Sequence, residues 1–355
     1  MKGLPFVLLF TAMTFISWGA YGPTLHHGAT ALSHDSMRAF VGVGLAYFLI
    51  AVIIPLLVLQ KSGERGRWTL TGSIYSLVAG AVGALGALGI ILALGYGGAT
   101  IYVMPLVFGF APVVNTLVTA LLSRTFNQIR PIFIAGIVAA ALGAGGVLYF
   151  KPAPAKAATT TAAAPQAATN SPTAPSEAAA VENPHTAVRP SVKSFNFWGV
   201  LGSIVLAAVC WGSYGPMLHV GQGKMDGSRL RPFACVGLAY FFIAVAAPLV
   251  LIYTRADDQG GWTALGMGWS FLAGVAGALG ALGVILAFNA GGKPYYVMPL
   301  IFGFAPVINT FISLSEAGTW SLVPIWFWLS LAVVIAGAVT VLTNAPKPAP
   351  KPQPA

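Results

Sequence analysis

The chain has 355 residues, 57% of them apolar and only 7% charged, with a formal net charge of +10. A soluble domain carries charge on about a quarter of its residues, so this composition excludes an ordinary water-soluble enzyme or binding module. The basic residues are scattered over short loops instead of forming one face, which excludes nucleic acid as a partner.

A bilayer's hydrocarbon core is about 30 Å thick and takes about 20 mostly apolar residues per spanning helix. The sequence predicts ten such spans, at 4 to 25, 38 to 60, 70 to 95, 100 to 122, 131 to 150, 196 to 216, 232 to 253, 263 to 288, 295 to 315 and 323 to 343. The expected fold class is therefore all-α and integral to a membrane.

The first span opens MKGLPFVLLF, one Lys before an apolar stretch, the make-up of a secretory signal. Its later phrase SWGAYGPTLHHG at 17 to 28 returns as CWGSYGPMLHVG at 210 to 221, in mid-chain, so a retained helix is expected instead. The second span's FVGVGLAYFLIAVIIPL at 40 to 56 returns as FACVGLAYFFIAVAAPL at 233 to 249. Through the third and fourth spans, residues 79 to 116 match 273 to 310 at 27 of 38 positions, an internal duplication offset by 194 residues, or 193 before the loop after the second span. Only the fifth and tenth spans share little wording, as lipid-facing or interface helices can. The chain thus divides into a first five-helix repeat at 1–150, an Ala/Pro/Thr-rich linker at 151–194, a second five-helix repeat at 195–343 and a Pro/Lys-rich tail at 344–355. The linker has almost nothing to bury and is expected to be disordered.

An odd number of spans per repeat predicts that the second copy enters the membrane inverted. Lys and Arg collect on the cytoplasmic side of short loops, so equivalent loops should carry opposite bias. KSGERGR after the second span has three basic residues and one acidic, whereas its counterpart RADDQGG has one basic and two acidic. The loops after the first and fourth spans reverse in the same sense. Both termini are then cytoplasmic and the linker is outside, with twelve Lys and Arg inside and only Arg38 and Arg255 outside, the linker's own left aside. The expected location is the cytoplasmic, or inner, cell membrane, with the bilayer as partner and the chain a monomer or homodimer.

The fourth span reads YVMPLVFGFAPVVNT at 102 to 116 and its copy YVMPLIFGFAPVINT at 296 to 310. Proline inside a helix frees the carbonyl four residues earlier, so Pro105, Pro112, Pro299 and Pro306 are expected to kink their helices and release carbonyls that must face protein or a wet cavity. Asn115 and Asn309 follow one turn on; either they hold a neutral polar cargo, since an amide offers donors and acceptors, or they cement helices. Trp18 with Tyr21, and Trp211 with Tyr214, share a helix face three residues apart, suited to stacking on a sugar ring or nucleobase, or to anchoring at the interface. Tyr47 and Tyr240 are further cavity candidates. His26 and His219 are possible proton relays or satisfied interfacial histidines. Glycine at every third residue of AGAVGALGALG at 79 to 89 and AGVAGALGALG at 273 to 283 is expected to let helices pack closely. Cys210 and Cys235 stand opposite Ser17 and Gly42, so no disulfide or metal framework is expected. Every acidic residue lies in a loop or the linker, which argues against a carboxylate proton site. The sequence offers no HExxH, paired membrane carboxylates or Cys/His cluster, so neither an enzyme nor a cofactor or metal is expected.

Two five-helix repeats, Trp18-Gly19 and Trp211-Gly212 in the first span of each, a Gly/Ala-rich third span and an apolar-Pro opening to the fourth resemble the drug/metabolite transporter superfamily, in its EamA-like, ten-helix form. The phrases WGAYGP and WGSYGP are most similar to its glucose/ribose and rhamnose sugar-porter branches, and the chain departs from the small multidrug members in lacking a carboxylate in the first helix. The resemblance implies two inverted-topology repeats and alternating access at their interface. It implies a secondary transporter of a small neutral polar metabolite, sugar-like first. The alternatives are an exporter of amphipathic compounds in the same superfamily and, from another class, a non-transporting membrane sensor or intramembrane enzyme.

Overall fold

The computed structural model describes residues 3–62, 64, 66–152, 195–254, 260–292 and 294–344; the expected linker from 153 on and the tail from 345 lie outside them. Ten helices are long and apolar enough to cross a membrane, and no strand occurs among the described residues, an arrangement compatible with a multi-pass helical membrane protein. In chain order they are α1 (Leu4–Ala31), α2 (Ser36–Lys61), α3 (Leu70–Gly95), α4 (Thr100–Ser123), α5 (Pro131–Tyr149), α6 (Phe197–Lys224), α7 (Leu230–Thr254), α8 (Ala264–Asn289), α9 (Pro294–Ala317) and α10 (Ile325–Thr343). Both halves belong to one compact unit.

Helix ends are set by polar caps repeated in the two halves. The hydroxyl of Thr69 accepts from the Gly72 amide at 3.1 Å and donates to the Lys224 carbonyl at 3.0 Å, tying the start of α3 to the end of α6. Thr263 does the same with the Gly266 amide at 3.1 Å and the Ala31 carbonyl at 2.9 Å, tying α8 to α1. Thr69→Ala and Thr263→Ala should each lower stability by about 1 to 2 kcal/mol, measured as thermal unfolding of the detergent-solubilised protein. Asp35 caps α2 through the amides of Met37 and Arg38 and pairs with the buried Arg38 guanidinium, which lies over the Trp262 ring. At the other end Glu64 accepts from Ser228, the Arg229 amide and Arg231.

The first and sixth helices run past the limits read from sequence, because Pro23 and Pro216 sit inside them without ending them. The turns beyond each proline are held by tertiary packing: Leu25 is fully buried, Gly28 lies on Ser270, and Gly221 lies on Ser76. Likewise α4 continues through Pro105 and Pro112 as one helix, and α9 continues through Pro306 and past position 299. A feature absent from the sequence expectations is a π-helical turn at the same place in both halves, Phe48–Ile53 in α2 and Phe241–Ala246 in α7. The wider i→i+5 bonding there, as from the Ile54 amide to the Leu49 carbonyl and from the Ala247 amide to the Phe242 carbonyl, makes a bulge, and Gly44 and Gly237 let each helix seat against the other's bulge: a Cβ on Gly44 would meet Val245, and one on Gly237 would meet Val52.

The glycine ladders do pack helices closely, and they do so across the halves. Gly80 of α3 lies against α7 and Gly89 against α6, while Gly274 of α8 lies against α2 and Gly283 against α1. The start of α4 touches the later part of α9, where Thr100 and Ser313 hydroxyls lie 2.8 Å apart, and further along α4 Phe108 meets Phe302 from an earlier turn of α9, so these two helices run in opposite directions. Helices α5 and α10 pack on each other through Gly143 against Val334 and Gly337 against Ala140.

Candidate functional site

At mid-height, where α1, α3, α4 and α6 meet α2, α7, α8 and α9, lies a cavity of about 80 Å³. Its wall is built from equivalent residues of the two halves: Trp18 with Trp211, Tyr21 with Tyr214, Tyr47 with Tyr240, Phe108 with Phe302, Gly83 with Gly277 and Ala87 with Ala281. Ala111 is the one lining residue whose equivalent does not take part.

Each tryptophan is fixed by the opposite half. The Trp18 indole N–H donates to the Gly277 carbonyl at 3.1 Å, and the Trp211 indole N–H donates to the Gly83 carbonyl at 3.1 Å. The next glycine of each ladder, Gly280 or Gly86, supplies the bare backbone on which the indole rests. Because the only polar atom of each indole is used on the protein, what the rings offer the cavity is apolar carbon. The glycine after each tryptophan brings the neighbouring helix in: Gly19 lies on the Ala305 carbonyl and Gly212 on the Ala111 carbonyl. Sequence phrases that read as a Trp-Gly motif and a packing ladder are therefore two halves of one joint.

Tyr47 and Tyr240 stack face to face, with ring centroids 3.8 Å apart and 4° between planes. Tyr21 packs edge-on against Trp211 at 5.9 Å, and Phe108 and Phe302 meet at 6.2 Å. The hydroxyl of Tyr21, a residue only 3% exposed, has no hydrogen-bond partner in the protein. No charged side chain lines the cavity, and no group of metal-ligating residues occurs among the described residues.

Six of the eight residues singled out from sequence as cargo contacts are thus brought together, and the two amides are not among the lining residues. Asn309 is fully buried and donates to the Thr100 carbonyl at 2.8 Å, tying α9 to α4. Asn115 is half-buried beside Gly215. His26 and His219 also stand away from the cavity: His219 is exposed, and His26 is near His27, which contacts Glu316 at 3.1 Å. The prolines of α4 and α9 are not in the lining either, though Phe108, whose carbonyl Pro112 leaves without its usual partner, and Phe302, which Pro306 serves likewise, supply ring faces to it. The side chain at 299 is not among those described. Phe108, Phe302, Gly83 and Gly277 were not read from the sequence as cavity residues, although all four sit in its duplicated phrases; identical wording at a fixed offset was the available signal.

No protein-family model matches the chain, and no curated protein matches it in sequence.

Proposed function

We propose that this chain is a secondary transporter that carries a small neutral organic solute across a membrane by alternating access, with the aromatic cavity as its cargo site. The observation that carries this reading is the paired wall: a cavity made from equivalent residues of two duplicated halves is what a site at a repeat interface requires. The antiparallel course of α4 and α9 supports an inverted relation between the repeats. The reversed loop charges support cytoplasmic termini in the inner membrane. The absence of charge from the wall favours an uncharged cargo, since an ion would enter without a counter-charge. Sugar-like solutes remain the first choice, with indole faces for their apolar sides and phenols for their hydroxyls; membership of the drug/metabolite transporter superfamily is part of the same proposal.

Uptake of a labelled panel of sugars, other neutral metabolites and amphipathic compounds into proteoliposomes, with and without a pH gradient, tests the reading. Transport of none of them above empty liposomes would discard it. Tyr21→Phe sharpens the test, because it removes a buried hydroxyl that nothing in the protein satisfies. Stability should stay level or rise, whereas apparent cargo affinity should fall about threefold to tenfold, the worth of one hydrogen bond of roughly 0.5 to 1.5 kcal/mol.

A further inference from the structure

Near-identical sequence in the two halves leads to unequal hydrogen bonding. Buried polar side-chain atoms are almost always paired, yet Tyr21 and His26 of α1, Ser270 of α8, and Asn309 and Thr310 of α9 each present one buried atom without a partner in the protein, as Thr125 does beyond the end of α4. None of their equivalents in α6, α3 and α4 presents such an atom. The Ser76 hydroxyl donates to the Gly72 carbonyl at 2.7 Å, and the Thr116 hydroxyl donates to the Pro112 carbonyl at 2.9 Å. His219 is exposed, and Asn115 is half-buried.

Four of these orphaned groups lie along one seam, where α1 packs against both α8 and α9, and Thr310 follows Asn309 on α9. Tyr21 faces the cavity; the Asn309 carbonyl oxygen lies against Gly22, and the Ser270 hydroxyl against Gly28. The His27–Glu316 contact between α1 and α9 marks the seam's far end. A seam closed over unpaired polar groups is penalised relative to its counterpart, and the penalty is relieved when water enters.

We propose that the α1–α8–α9 seam is the gate through which the cavity opens, toward the His27–Glu316 end, and that the conformation described here opens there in preference to the equivalent α6–α3–α4 seam. The proposal deepens the transport reading, since it assigns the route by which that cavity exchanges with water. Titratable and charged groups near the gate are His26, His27 and His34 following the course of α1, Asp35 and Arg38 at the start of α2, and Glu316 on α9.

Single cysteines test it in the full chain, reconstituted in nanodiscs so that a water-soluble methanethiosulfonate reagent reaches both faces, with Cys210 and Cys235 replaced by Ala. Thr310→Cys and Ser270→Cys replace residues that are 0% exposed, and their equivalents Thr116→Cys and Ser76→Cys replace residues 1% and 0% exposed, so reaction at any of them reports opening. Each gate cysteine should react about tenfold faster than its equivalent, and Glu316→Gln should accelerate Thr310→Cys but not Thr116→Cys. Equal rates within both pairs, faster reaction at 116 and 76, or no reaction at all four overturns the proposal; two pairs guard against one variant that folds poorly. The labelling uses no cargo, so a failed uptake experiment beside a tenfold asymmetry discards the transport reading alone.

Discussion

Gly280→Ala and Gly86→Ala are each expected to lower the stability of the solubilised protein by about 3 kcal/mol, a large effect for the addition of one methyl group. A Cβ at either position would fall inside the indole of Trp18 or Trp211. The ring cannot step aside cheaply, because its N–H is held by the carbonyl of Gly277 or Gly83, one turn earlier on the same helix. Moving it forfeits that bond, worth roughly 0.5 to 1.5 kcal/mol, and the remainder of the cost is the strain of forcing two well-packed helices apart. Gly145→Ala is the control, since its Cβ would meet nothing within 4 Å. There the ordinary helix preference for alanine over glycine should stabilise by up to about 1 kcal/mol. Opposite signs at 145 and at 86 or 280, read from thermal unfolding, would show that the ladder glycines serve the indoles and not backbone freedom; a Gly280→Ala protein as stable as the parent would refute the joint.

The same joint shows what the sequence could and could not reveal. Span count, duplication and the ladders were legible because each is a periodic signal: runs of about 20 apolar residues, a phrase repeated at fixed offset, and glycine every third position. Which surface a ladder packs against was not legible. Periodicity marks a face but does not name its partner, and here the partner of each ladder belongs to the other half. The π-helical turns had a signal that the sequence reading did not use. FLIAVI at 48–53 and FFIAVA at 241–246 hold no Gly or Pro, but Pro55 and Pro248 follow two residues on and lack the N–H that would bond the carbonyls of Ala51 and Ala244 inside the turns.

The amides show the limit in another way. Asn115 and Asn309 were conspicuous as polar residues in apolar runs, but equivalent residues of an antiparallel pair meet only at mid-height. Phe108 and Phe302 are at that height and their rings touch. Asn115 lies seven residues beyond Phe108, and Asn309 seven beyond Phe302, about 10 Å along each axis. Since α4 and α9 run in opposite directions, those distances separate the two amides toward opposite ends. Polarity drew attention to a level of the helix away from the cavity, while the aromatic residues at mid-height had only their hydrophobicity to announce them, which every core residue shares.

Replacing the indoles themselves should therefore produce the largest functional loss. Trp18→Ala and Trp211→Ala each remove a ring face from the cavity together with the bond that fixes it, and apparent cargo affinity per folded molecule should fall about tenfold to a hundredfold, equivalent to roughly 1.4 to 2.8 kcal/mol. Stability will fall too, by about 3 kcal/mol for truncation of a largely buried aromatic, so uptake must be normalised to monodisperse protein. Trp18→Phe and Trp211→Phe separate the two effects: a smaller ring still offers a π face but cannot donate to Gly277 or Gly83. The phenylalanine variants should thus retain more affinity than stability, whereas the alanine variants lose both. The double variant Trp18→Ala with Trp211→Ala decides whether one cargo touches both rings. The two indoles are bridged by Phe108, at 6.5 Å from Trp18 and 6.1 Å from Trp211. If a single solute lies between them, removing the second indole should cost less affinity than removing it alone, because the remaining contact is already loosened. Losses that simply multiply would mean that the rings act independently, and unchanged affinity in both single variants would make the aromatic wall a packing core with no cargo in it.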